Sequence, residues 1–183
     1  LLLVLLVCLY PLYFVVIASV SDPLLVTTGQ VLLWPRGITM AGYRRILEYT
    51  ALWRGYANTI FYTASHTLLS LAVTLPAGYA LARRDLKGRS LIMKLYTFTM
   101  FFSGGLIPTY FLVTGMGLRD TYLVIILLGC VSVYNIILTR TFFQNSLPVE
   151  LYEAAAIDGC TNLNFFVRVA LPLSSAIVAV LVI

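Results

Sequence analysis

Long stretches of this sequence carry no charge at all, and that constrains the fold more than any other feature. Tyr56 to Ala82 has no Asp, Glu, Lys or Arg, and neither do Leu1 to Val20, Leu95 to Leu118 or Thr121 to Thr139. A helix needs about 20 apolar residues to cross a hydrocarbon layer of roughly 30 Å. All four stretches meet or approach that length, and a fifth, starting near Val169, has fifteen residues before the sequence stops. In lipid every backbone polar group must find a partner within the protein, so such runs are expected as transmembrane helices. Composition agrees: hydrophobic residues make up 61% of the chain and charged residues 10%, where a soluble domain has roughly a quarter charged. Mean hydropathy is +0.96. The expected fold class is all-α, a polytopic bundle of membrane-spanning helices forming one domain over residues 1–183.

The basic residues orient the bundle. Arg83 to Lys94 holds five Lys and Arg in twelve residues, whereas Ser21 to Gly55 holds four in thirty-five. Dense basic loops face the cytoplasm, so the second loop is expected inside and the first outside. Two spans further on, the loop carrying Glu150 to Arg168 falls on the same, cytoplasmic side. The net charge of +5 is read as meeting anionic lipid, not nucleic acid. Cys8, Cys130 and Cys160 have neither disulfide-framework nor CxxC metal-site spacing and read as packing residues.

Within the spans, Pro76 and Pro108 are expected to kink their helices, with Gly104 and Gly105 one turn before the second kink. His66, with no intramembrane carboxylate near it in sequence, reads as a hydrogen-bonded packing residue before a proton carrier. Asn58, Tyr62, Ser103, Tyr110 and Asn135 are polar or aromatic enough to line a pathway, and each is equally suited to face a neighbouring helix, so substrate-contacting residues are left unassigned. Trp34, Tyr43, Tyr49 and Trp53 in the outer segment suit a landing surface for an extracellular partner or an anchor in the membrane interface.

The segment ELYEAAAIDGCTNLNFFVRVALPL, Glu150 to Leu173, is unlike a simple connection. Pro148 fits the first turn of a helix, Glu150 and Glu153 sit where the helix dipole favours carboxylates, and Gly159 supplies the stop. The expected helix runs from Pro148 to Asp158 and puts Leu151, Tyr152, Ala155 and Ala156 on one side. Nothing in the chain suggests catalysis: it has no GxxxxGK[ST] phosphate loop, nucleophile and base pair, or metal cluster. No cofactor is expected.

At these residues a resemblance enters. EAAAIDG, nine further residues, then Val169-Ala170-Leu171-Pro172 resembles the signature of the inner-membrane permease subunits of binding-protein-dependent ABC importers. That signature reads Glu-Ala-Ala, three residues, Gly, nine residues, Ile, one residue, Leu-Pro, and the chain departs from it only in having Val169 for Ile. LPAGYALARRDLKGR, Leu75 to Arg89, is similar to the carbohydrate-type, maltose-transporter kind, and FFSGGLIPTYFLVTGMGLRDTY, Phe101 to Tyr122, to the branch importing aldouronate and alginate oligomers. The resemblance implies a six-span MetI-like permease fold, here with the fifth span incomplete and the sixth missing. It also implies that the helix at about 148–159 is a coupling helix, with Glu153, Ala154, Ala155, Asp158, Gly159, Leu171 and Pro172 as the ATPase-coupling residues. The implied partners are a second permease subunit, two cytoplasmic ATPase subunits and an extracellular solute-binding protein, in a bacterial inner or plasma membrane. An ion-coupled transporter or channel, and a non-transporting scaffold, are the alternatives. The former usually carries ionisable residues within its spans, which these stretches lack.

Overall fold

The computed structural model describes residues 2–183, with side chains from residue 4; Leu1, where the first expected span begins, lies outside the described residues. The described residues are helical, with no strand among them, and divide into two compact units, Leu1–Asn58 and Thr59–Ile183.

In the first unit, α1 (Leu2–Ser19) leads into the short α2 (Pro23–Thr27) and α3 (Ala41–Glu48). Asp22 caps α2 by accepting from the Leu24 N–H at 2.8 Å, with Pro23 at the first helical position, where its missing N–H costs nothing. The connecting chain folds back on α1: the Tyr10 hydroxyl donates to the Leu32 carbonyl at 3.2 Å, and the Tyr13 hydroxyl donates to that of Leu33. Trp34 and Tyr49 are exposed, while the Tyr43 and Ser19 hydroxyls pair at 2.8 Å and the Trp53 ring N–H donates to the Leu47 carbonyl at 3.0 Å.

The helix that begins at the end of this unit, α4 (Thr50–Ala82), is 33 residues long, and among the described residues it alone is both long and apolar enough to cross a membrane by itself. It starts six residues before the charge-free stretch and continues unbroken through Pro76. Two bent pairs bring the number to three by length and composition if each crosses as one span: α5 (Arg89–Phe101) with α6 (Leu106–Gly115), and the run Asn162–Leu173 with Ser175–Val182.

Three expectations need correction here. The stretch Leu95 to Leu118 is not one kinked helix, because α5 and α6 meet at 114° across Phe102–Gly105. The break sits at the glycines, with Gly105 at φ +80°, and not at Pro108. Pro108 falls in the first turn of α6, where an N–H would have no helical partner, so it starts a helix and bends none. The stretch Thr121 to Thr139 is likewise two short helices, α7 (Tyr122–Leu127) and α8 (Val133–Ser146), separated by a turn with Gly129 at φ +81°. The last expected span begins earlier than Val169, with α10 (Asn162–Phe165), a wide π turn over Phe166–Ala170 and α11 (Leu171–Leu173) preceding α12 (Ser175–Val182). The π turn ends two residues before Pro172, whose ring clashes with the carbonyl four residues back in a regular α-helix. A break at Ser174 bends the run by 74°.

Helices α4 and α8 pack with almost no space between them. A methyl group on Gly78 would lie 2.5 Å from Thr139 Cγ2, so only glycine fits at this crossing. Below it, the Arg140 Nε–H donates to the Leu81 carbonyl at 3.1 Å, satisfying one of the orphan acceptors at the end of α4. His66 donates from Nδ1 to the Ile126 carbonyl at 2.9 Å, near the end of α7. That is the hydrogen-bonded packing role expected for it.

Candidate functional site

The segment singled out in the sequence folds as α9 (Val149–Ile157). Pro148 is the N-cap and not the first helical residue: its φ of −58° and ψ of 144° are extended, and Glu150 occupies the first turn. At the other end Asp158 is the C-cap and Gly159 has φ +75°. The Gly159 N–H donates to the Ala156 carbonyl at 3.1 Å and the Cys160 N–H to that of Ala155 at 2.9 Å. These two bonds form a Schellman motif, the arrangement that closes a helix through a left-handed residue. Thr161 then starts α10 by accepting from the Asn164 N–H at 3.3 Å.

One face of α9 is fastened to the bundle. Tyr152 and Ala155 pack against a core of Leu75, Tyr79, Phe143, Phe165, Phe166, Ala170 and Ile177. Tyr79 lies at its centre, with ring centroids 5.7 Å from Phe143, 6.4 Å from Phe165 and 5.0 Å from Phe166. Tyr152 stands edge-on to Phe165 at 5.4 Å, and its hydroxyl donates to Asn162 Oδ1 at 2.8 Å. The side expected to gather Leu151, Tyr152, Ala155 and Ala156 is divided: Leu151 and Ala156 are exposed, because only positions three apart, 152 and 155, point at the core from so short a helix. The opposite face presents Glu153, Ala154, Ile157 and Asp158 to the outside, Ile157 at 86% exposure. Of the remaining motif residues, Leu171 joins the same core as Ala155, and Pro172 is exposed.

The basic loop after α4 reaches this helix. Arg83 holds Asp85 through two bonds, Nε to Oδ1 at 2.8 Å and Nη2 to Oδ2 at 2.6 Å, and donates from Nη1 to the Tyr79 hydroxyl at 3.2 Å. Its guanidinium carbon lies 3.8 Å from the centre of the Tyr152 ring. The bond to Asp85 keeps the guanidinium charged above its already high usual range, against a smaller opposing effect of burial. Arg83 in turn holds the Asp85 carboxyl below the usual carboxylate range. An open cleft of about 790 Å³ lies here, lined by Arg83, Asp85, Asn145, Pro148, Tyr152 and Glu153 among others. Sequence reasoning put the basic loop and α9 on one side of the membrane by counting spans, and here they touch. It missed Arg83 and Asn162 as partners of Tyr152, since nothing in the local pattern links positions so far apart.

Residues 35–183 match the family of binding-protein-dependent transport system inner membrane components. The chain belongs to that permease family. Among curated relatives, protein LplC of Bacillus subtilis is 37% identical over 169 residues, covering 92% of this chain and 57% of that one. The polygalacturonan/rhamnogalacturonan transport system permease protein YtcP of the same organism is 37% identical over 174 residues, covering 95% and 60%. A chain from the crystal structure of a bacterial ABC transporter involved in the import of the acidic polysaccharide alginate superposes with a TM-score of 0.92 at 34% identity, covering 98% of this chain and 64% of that one. The helical arrangement described above is therefore the permease fold of this family. The chain spans about three fifths of the length of these relatives.

Proposed function

We propose that this chain is the permease half of an importer that translocates a sugar or oligosaccharide delivered by an extracellular binding protein. A second permease completes the pathway, and two cytoplasmic ATPase subunits, not this chain, hydrolyse ATP. The relatives' names support a carbohydrate cargo, because one is a polygalacturonan/rhamnogalacturonan permease and the solved neighbour takes part in alginate import. Family membership argues against the ion-coupled transporter, the channel and the scaffold.

The observation that carries the reading is the two-faced α9. A helix of nine residues is too short to be stable alone, so its place is set by its contacts. Tyr152 and Ala155 tie it to the bundle, and Glu153, Ala154, Ile157 and Asp158 are left for another protein. On this reading α9 is a coupling helix in a groove of the ATPase, the loop from Arg83 to Lys94 lies in the cytoplasm beside it, and ATP-driven closure moves the helices as rigid bodies. Gly159 closes the helix, and Leu171 anchors the next helical run to the core.

The test uses the full-length protein with its partners in lipid vesicles, and oligosaccharides from digested polygalacturonan and alginate as cargo. Gly159→Leu places a side chain at φ +75° in otherwise open space, so it strains the Schellman turn by about 1–2 kcal/mol without a clash. Glu153→Lys reverses a charge on the exposed face. Each is expected to lower uptake and cargo-stimulated ATP hydrolysis by roughly tenfold, the equivalent of about 1.4 kcal/mol, at normal membrane levels. Parental uptake by both variants, with the ATPase still bound, would reduce α9 to a surface helix.

A further inference from the structure

Arg83 joins the end of α4 to two helices that follow much later in the sequence. It follows the last residue of α4, lies against Tyr152 of α9, and through that ring meets Asn162 and Phe165 of α10. The edge of its guanidinium is taken by the Asp85 carboxylate and the Tyr79 hydroxyl, which leaves a flat face for the aromatic ring. A planar fork makes both kinds of contact at once, whereas an ammonium group is a point charge and does not. The Arg83 side chain is only 13% exposed, so water competes weakly for either contact. The loop itself is braced, since Arg89 donates from Nη1 to the Arg83 carbonyl at 3.2 Å. Glu153 lines the same cleft, and Arg84 stands exposed at its edge.

We propose that Arg83 is a positioning residue: it clamps the Tyr152 ring so that α9 and the end of α4 move as one body. The proposal rests on reading α9 as the coupling helix and adds the route by which its motion enters the bundle. The core at Phe165 also holds Tyr152, but that contact ties α9 to α10. Arg83 holds that ring directly at the end of α4, beside the indirect route in which Phe165 stacks on Tyr79 at 6.4 Å. A displacement of α9 then reaches the α4–α8 crossing at Gly78 along a continuous helix, because Gly78 lies only five residues before Arg83.

The experiment measures amide hydrogen exchange in the full-length transporter complex in lipid, free of nucleotide and trapped with ATP and vanadate, so no cargo is needed. In the parent, trapping is expected to change exchange both in α9, residues 149–157, and at the end of α4, residues 75–82. In Arg83→Gln and Tyr152→Leu the change in α9 is expected to persist while the change at residues 75–82 shrinks by roughly 2- to 30-fold, the range a single cation–π contact spans. The double variant is expected to be no worse than Tyr152→Leu, since the contact that Arg83→Gln removes is already gone there. Arg83→Lys is expected not to restore the response. A parental response at residues 75–82 in Arg83→Gln, or full rescue by lysine, overturns the clamp while leaving the coupling reading intact. A parent complex whose α9 does not respond to trapping at all overturns the coupling reading, and the clamp's role in transmission with it.

Discussion

The surroundings of Tyr79 and the bent pair α5–α6 are built from the same kinds of side chain and dispose of them in opposite ways. Around Tyr79, Phe143 and Phe165 are each 2% exposed, and rings from α4, α8, α9 and α10 meet edge to face. On α5–α6, Phe101 is 76% exposed and Leu106 is 86% exposed, with Ile107 and Phe111 alongside them on the surface. In water the second arrangement would be a defect. In lipid it costs nothing, because hydrocarbon solvates an apolar side chain as well as another side chain does, and only packing and hydrogen bonds distinguish inside from outside. The difference teaches where this fold is specified: at the end of α4, where α9 docks, and not along its apolar faces.

Substitutions that empty or crowd the specified region put this comparison at risk. Phe165→Ala removes the ring shared by Tyr79 and Tyr152 and is expected to cost about 3 kcal/mol or more in detergent, read as a lowered thermal midpoint of the purified protein. Phe101→Ala should shift that midpoint little, and equal losses at the two positions would erase the contrast. A smaller effect is expected at the α4–α8 crossing. Gly78→Ala drives a methyl group to 2.5 Å from Thr139 Cγ2 and 3.1 Å from the Arg140 nitrogen, so the helices must separate at a cost of about 1–3 kcal/mol. Pairing it with Thr139→Ser, which removes Cγ2, should recover part of the loss; no recovery would place the strain elsewhere.

The smallest effect concerns pH. Asp85 is held below its usual value of 3.8 by Arg83, so its contribution to the docked loop is present above that value and lost as the pH falls through the lowered one. Arg83 is held above its usual value, so its contribution is present throughout the neutral range and lost only in strong alkali. Amide exchange in α9, corrected for the intrinsic pH dependence, should therefore be flat from about pH 5 to 9. A transition near neutrality would mean that some group other than this pair holds the helix.

How much of the fold and the site was legible depends on how local each signal is. The α9 helix could be read from Pro148, Glu150 and Gly159, because a cap, a favoured first-turn charge and a left-handed stop all act within a few residues. The interruptions at Phe102–Gly105 and Leu128–Ser132 could not be read from hydropathy, which sums over a window and is blind to backbone direction. The glycines were the better signal: Gly105 and Gly129 both take positive φ at the breaks, while Pro76 and Pro108, the residues expected to bend helices, lie inside α4 and at the start of α6. Of the motif residues, Glu153, Ala154, Asp158 and Gly159 share the exposed side and end of α9, whereas Ala155 and Leu171 are packed inward. Their spacing in the sequence does not separate the two roles; the docking of Tyr152 against Phe165 and Arg83 does.

The central claim is that the exposed face of α9 is covered by the ATPase, and the most direct measurement is site-specific photocrosslinking in the intact membrane. Benzoylphenylalanine in place of Ile157, which is 86% exposed, and in place of Ala154 is compared with the same group in place of Phe101 on the apolar face of α5. An adduct with the copurifying ATPase subunit is expected from both α9 positions and none from position 101. Adducts with lipid alone from positions 154 and 157, in a complex that retains its ATPase, would contradict the claim.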